Sequence, residues 1–205
     1  MLTVLAVLSG ALQALGYGLY VRQSLRHEIE PNSATWFMFA YGTALLGVLE
    51  FSRGAEWELL LLPAVCATFS IGVAFICWKR GTLRWPEEWQ DQLAFVADVV
   101  LTLCYMGAWR LTKSGVLDES ERGYANLIFL VCSNLTTLTA FLPLIRGAKQ
   151  NSACERSWPL VVWTCAYTIL GVATFTKEGL WTELMIYPVL NAILHARVAW
   201  LANRH

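Results

Sequence analysis

Charge is scarce in this chain. Only 15% of its 205 residues are charged, against 57% hydrophobic, a balance too apolar for an ordinary soluble domain. The formal net charge is zero, so nothing in it points to nucleic acid. Lysine occurs only at Lys79, Lys113, Lys149 and Lys177, all in loops or at the ends of apolar runs. That excludes a retinal protein, which needs a Schiff-base lysine deep in its seventh helix. The six cysteines, at 66, 77, 104, 132, 154 and 165, form no C-x-x-C and have no histidine at metal spacing. Most fall inside apolar runs, where cysteine is a small packing residue. No nucleophile–base constellation, glycine-rich phosphate loop or zinc motif occurs, so no enzyme, catalytic residue, metal or cofactor is expected. The start, Met1-Leu2-Thr3-Val4-Leu5, lacks the basic region of a cleavable signal peptide and reads as the first apolar run itself.

What the chain does contain is a series of seven apolar runs, over 3–21, 34–51, 59–78, 92–110, 125–145, 159–175 and 183–201. A membrane helix needs about 20 such residues, so the expected class is an all-α integral membrane protein with seven transmembrane helices. The connections are short, which leaves no soluble domain and makes the lipid bilayer the first partner. With the N-terminus outside, the cytoplasmic side holds Arg22, Arg26, Lys79, Arg80, Arg84, Arg146, Lys149, Arg156, Arg197 and Arg204. The other side holds Arg53, Arg110, Lys113, Arg122 and Lys177. This two-to-one bias favours the N-terminus outside and the C-terminus in the cytoplasm.

The runs also repeat. Leu19-Tyr20-Val21-Arg22 is echoed by Pro143-Leu144-Ile145-Arg146, and Trp57 in Gly54-Ala55-Glu56-Trp57 by Trp181 in Glu178-Gly179-Leu180-Trp181, both 124 positions on (146 − 22 and 181 − 57). Thr35-Trp36 through Tyr41 corresponds to Val162-Trp163 through Tyr167 with a small length shift. The expected organisation is 3+1+3: a three-helix bundle over 1–78, a linker helix with its loops over 79–124, and a second bundle over 125–205. An odd linker helix lets both units insert the same way, giving parallel repeats about an axis along the membrane normal, with any substrate site at their interface. Pro86-Glu87-Glu88 is placed in the first turn of the linker helix. Proline also falls within spans three (Pro63), five (Pro143) and seven (Pro188), and the latter two are candidate hinges.

These residues resemble the SWEET/PQ-loop superfamily of sugar transporters, lysosomal amino-acid exporters and the KDEL-receptor branch. The second repeat keeps the proline of the namesake pair in Leu142-Pro143-Leu144-Ile145-Arg146, with Leu144 where glutamine would stand. The pattern Tyr20-Val21-Arg22…Pro31-Asn32-Ser33-Ala34-Thr35-Trp36 is similar to a bacterial SWEET-like group. The resemblance implies a transporter of a small neutral polar solute, in a bacterial inner membrane, working by alternating access between the bundles. A receptor of the same fold is the alternative, as is a non-transporting subunit of a larger membrane complex; a homo-oligomer stays open too.

Among candidate site residues, Asp98 lies inside the linker span, where a carboxylate costs about 2.5–3.5 kcal/mol on insertion scales. It would couple protons or contact substrate, or be bonded to a neighbouring helix off the central path. Asn191, three residues after Pro188, and Asn134 in span five have amides suited to a neutral ligand or to interhelical bonding. Trp36 and Trp163, with Tyr41 and Tyr167, would form a gate or a stacking wall, and Tyr187 would contact the substrate, although anchoring in the interfacial aromatic belt accounts for the two tryptophans as well. The other eight tryptophans sit at span ends, as belt residues do. His195, one turn after Asn191, is expected at the cytoplasmic interface, and Glu50 and Glu183 in external water.

Overall fold

The computed structural model describes residues 1–29, 31–82, 85–86, 88–150 and 155–204, and all regular structure among them is helical. The helices are α1 (Leu2–Leu25), α2 (Ser33–Ser52), α3 (Trp57–Lys79), α4 (Trp89–Lys113), α5 (Glu119–Ala140), α6 (Leu142–Gln150), α7 (Ser157–Glu178) and α8 (Ile186–Ala202), the last preceded by a 3-10 turn, Glu183–Met185. With α5 and α6 in one span and the 3-10 turn joined to α8, seven segments are long and apolar enough to cross a membrane. They coincide with the seven runs of the sequence. Helices are the form such runs must take, because each peptide group then finds its partner within its own segment.

Local chemistry places the ends. Asn32 caps α2, its side chain accepting from the Thr35 amide at 3.2 Å. Asp118 and Glu121 close a reciprocal capping box on α5. Gly54 and Gly179, with φ of 85° each, turn the chain out of α2 and α7 in a conformation that side chains resist. Span five is not one helix. It breaks at Phe141, because Pro143 has no N–H to donate one turn back and its ring crowds the Thr139 carbonyl. Pro188 is not mid-helix either: it is the third residue of α8, in the first turn, where a missing N–H costs little. Pro86 precedes α4, which starts at Trp89 on an extended Glu88, so the expected proline in its first turn is not found; Glu87, Arg84 and Cys154 lie outside the described residues.

Helices α1 to α3 pack together through α1–α3 and α2–α3 contacts, and α5 to α8 through α7–α8 and the contacts of α5 and α6 with α8. These two groups meet along two seams, α1 on α7 and α2 on α5. Helix α4 leans on α5 and more lightly on α2. It is exposed along most of its length, and its buried residues, Asp91, Ala94 and Asp98, form one stripe at helical spacing. At the α1–α7 seam Gly16 admits the Trp163 indole, whose Nε1 donates to the Gln13 carbonyl at 3.1 Å. Two further glycines take prolines from the neighbouring helix: Gly47 on α2 faces Pro63 of α3, and Gly171 on α7 faces Pro188 of α8.

The buried apolar residues form two clusters. One gathers the end of the bundle around Tyr20, Leu144 and Leu201, and the other the opposite end around Leu49, Leu59 and Leu184. Between them the packing is incomplete.

Candidate binding cavity

A cavity of about 20 Å³, room for one or two water molecules, lies where the two helix groups meet. Its wall has an aromatic side, Tyr17, Trp36, Phe39, Trp163 and Tyr167, and a polar side, Asp98, Thr136, Thr137, Asn191 and His195. Helices α1, α2, α3, α4, α5, α7 and α8 all contribute.

The aromatic residues interlock. Trp163 stands 4.9 Å from Tyr17 and 5.9 Å from Trp36 between ring centroids, and Trp36 is 4.7 Å from Tyr20. Edge-to-face and tilted contacts at these distances are favourable. Both indole N–H groups are used on protein acceptors, Trp163 on Gln13 and Trp36 on the Tyr20 hydroxyl at 3.1 Å. Trp36 and Trp163 are fully buried, so they are not belt anchors. Of the expected belt residues, Trp57, Trp78, Trp85, Trp89, Trp109, Trp158, Trp181 and Trp200 are all exposed.

On the polar side, Asn191 donates to the Tyr187 carbonyl and His195 Nδ1 to the Asn191 carbonyl, at 2.9 and 2.8 Å. A carbonyl can only accept, so His195 carries its proton on Nδ1 and presents Nε2 as an acceptor when neutral. His195 is buried against Trp163, Tyr167 and Phe141 rather than at an interface, a correction to its expected place. Only the fold could bring those rings to it.

Asp98 is only 3% exposed and reaches the cavity from α4. Its Oδ1 accepts from Thr136 at 2.5 Å. Its Oδ2 faces Gly42, where an added methyl group would sit 3.4 Å away. The linker helix therefore does contribute to the centre, because its single buried stripe ends there.

Other expected residues lie elsewhere. Tyr41 points to α4, its hydroxyl donating to Thr102 at 2.7 Å, and does not line the cavity. Asn134 is buried and bonded to the Leu130 carbonyl, again off the wall. Tyr187 stands behind the wall, its hydroxyl 3.1 Å from that of Tyr167. Tyr167 bridges the two, since it lines the cavity.

Beyond each apolar cluster, at either end of the bundle, lie polar contacts. At the Arg53 end, Arg53 at the end of α2 holds Glu183 before α8, with its Nε 2.8 Å from the carboxylate. Lys177 near the end of α7 holds Glu56 before α3 at 2.7 Å. Each group thus lends one cation and one acid. Glu183 is partly exposed but ion-paired rather than free in water. Glu50 is overturned more fully: it is 3% exposed, in a second cavity with Leu59, Leu170, Thr174 and Pro188. At the opposite end Tyr20 donates to Glu155 at 3.1 Å, while Glu155 Oε2 has no partner among the described residues. Arg146 pairs there with buried Asp91. Neither Glu155 nor Gly42 stood out in the sequence.

No family model, no curated protein and no solved structure matches this chain.

Proposed function

We propose that this protein is a membrane transporter in which α1–α3 and α5–α8 are parallel three-helix repeats, joined by α4, that rock about the central cavity to pass a small polar solute. The observation that carries this reading is a polar and aromatic cavity at the junction of the two helix groups, plugged on both sides. A static bundle gains nothing from leaving polar groups such as Asn191 at an incompletely packed junction.

Three things support the repeat. Exchanging spans one, two and three with five, six and seven turns the α1–α7 seam into the α2–α5 seam. The Gly47–Pro63 and Gly171–Pro188 contacts exchange as well, with offsets of 124 and 125 (171 − 47 and 188 − 63). So do Arg53 and Lys177, also 124 apart (177 − 53), in the two ion pairs. The SWEET-like resemblance points the same way. In alternating access the Arg53–Glu183 and Lys177–Glu56 pairs would open on one side, and the Tyr20–Glu155 contact on the other.

Purified protein in proteoliposomes tests the reading by solute uptake and counterflow. Asn191→Ala should abolish uptake with little change in expression or thermal stability, since a lost intrahelical bond is worth about 1 kcal/mol or less. Lower stability with unchanged uptake would make Asn191 a packing residue. Absence of any flux would favour the non-transporting subunit.

A further inference from the structure

The hydrogen-bonding capacity left open in the cavity is almost wholly that of acceptors. Thr43 and Thr137 spend their hydroxyl protons on the Phe39 and Ser133 carbonyls, and Thr136 spends its own on Asp98 and Ser133. The indole N–H groups are likewise taken. The polar residues that line it besides these are Asp98, Asn191 and His195, whose Nε2 is left as an acceptor when neutral, and Trp36, Trp163, Tyr17 and Tyr167 line it with them. No lysine or arginine lines the cavity, and none is buried among the described residues. Asp98 Oδ2 meets no hydrogen-bond donor among those residues, and Gly42 leaves the space beside it clear.

Further buried acids lie along the junction. Glu50 lies buried toward the Arg53 end, with no hydrogen-bond or ion-pair partner among the described residues. Glu155 lies buried at the opposite end, two hydrogen bonds from the cavity wall through Tyr20 and Trp36. Acids in a membrane interior are costly and mark ion or substrate paths. Of the buried acids among the described residues, Glu50, Asp91, Asp98 and Glu155, only Asp91 has a cationic partner within them, Arg146.

From the Asp98 oxygen beside Gly42, unpartnered among the described residues and set in an aromatic cavity that no cationic side chain among them lines, we propose that the ligand is a small organic ammonium ion bearing N–H donors. Its charge and N–H groups meet Asp98, Asn191 and His195, and its carbon skeleton stacks on Trp36 and Trp163. Cations over aromatic faces gain most where water is excluded. This departs from the neutral solute that the resemblance implies. Binding requires the cavity to widen beyond the one or two water molecules it holds at rest, and passage across the membrane rests on the transporter reading.

The test uses the full chain in lipid nanodiscs, with binding of n-butylammonium and ethanolammonium read by calorimetry and tryptophan fluorescence. The neutral counterparts, 1-butanol and ethylene glycol, are the controls. Both cations should bind and quench fluorescence, while the alcohols do neither. Asp98→Asn should weaken cation binding by about tenfold or more, the scale of losing one buried charge contact. Gly42→Ala places a methyl at ordinary contact distance from Asp98, so the protein should fold while cation binding weakens; it serves also if Asp98→Asn does not fold. Equal binding of alcohols and cations, no binding of either cation, or binding indifferent to both substitutions would overturn the proposal. So would a proton flux lost in Asp98→Asn without cation binding. Cation binding without counterflow in proteoliposomes would reject the transporter and leave this site standing, whereas flux of neutral solutes alone would do the reverse.

Discussion

At the scale of single residues, burial decides more than identity does. Glu50 and Glu183 read alike in the sequence, as acids near span ends. One is enclosed among Leu59, Leu170 and Pro188, and the other is held at the rim by Arg53. Glu155, in the connection before α7, is the third case. Burial pushes its carboxyl from the ordinary 4.5 up to about 8, opposed by the Tyr20 hydrogen bond. The folded protein therefore holds a proton on Glu155 that the unfolded chain releases above its ordinary value. Stability from this group is fully present below about pH 4.5 and is lost as pH rises through about 8. Melting temperature of the purified protein should fall across that window, and Glu155→Gln should flatten the fall. An identical slope in the variant would remove Glu155 as its source. The tryptophans teach the same point. Ten of them are alike by type, and only Trp36 and Trp163 lie deep enough to be enclosed by their neighbours.

At the scale of elements, helix–helix contact is set by small residues and prolines rather than by apolar content, which every span shares. Gly16 marks the tightest place. A methyl group there would fall well inside contact distance of the buried Trp163 indole, on α7. Alanine favours a helix over glycine by about 0.5–1 kcal/mol, but overpacking costs about 1–3 kcal/mol. Gly16→Ala should therefore lower stability by about 1–2 kcal/mol in lipid nanodiscs. Gly18→Ala, with open space beside it, should be neutral or slightly stabilising. If both variants melt alike, Trp163 can move aside and the α1–α7 seam is not rigid there. Helix α4 differs from the rest. Its buried stripe of Asp91, Ala94 and Asp98 emerged only in the packed bundle, which decides the helices it faces.

At the scale of the whole molecule, the two helix groups touch through reciprocal pairs at the Arg53 end and through Tyr20 and Glu155 at the other, where Arg146 also ties α6 to Asp91 of α4. We propose from the basic-residue bias that the Arg53 end faces outside the cell. A cysteine introduced at Lys149 of a variant lacking its native cysteines should then resist a membrane-impermeant maleimide on intact cells. One introduced at Glu58 should react. The reverse pattern would invert the orientation and assign the ion pairs to the cytoplasmic side.

Seven spans, the break at Pro143 and the 124-residue echo were legible from residue order, because local hydropathy and proline chemistry act within a few residues; the caps at Asn32 and Asp118 and the start of α4 at Trp89 were not read from it. Trp36, Trp163, Tyr167, Asn191 and Asp98 were legible as candidates by type and depth. Their convergence on one cavity was not, nor was the exclusion of Tyr41 and Asn134 from it. Which face of an apolar helix turns inward depends on close approach to a partner helix, and nearly uniform apolar faces encode that weakly. Only the packed bundle could bury Glu50 and Glu155, seat His195 among aromatic rings and leave Asp98 with one oxygen open beside Gly42.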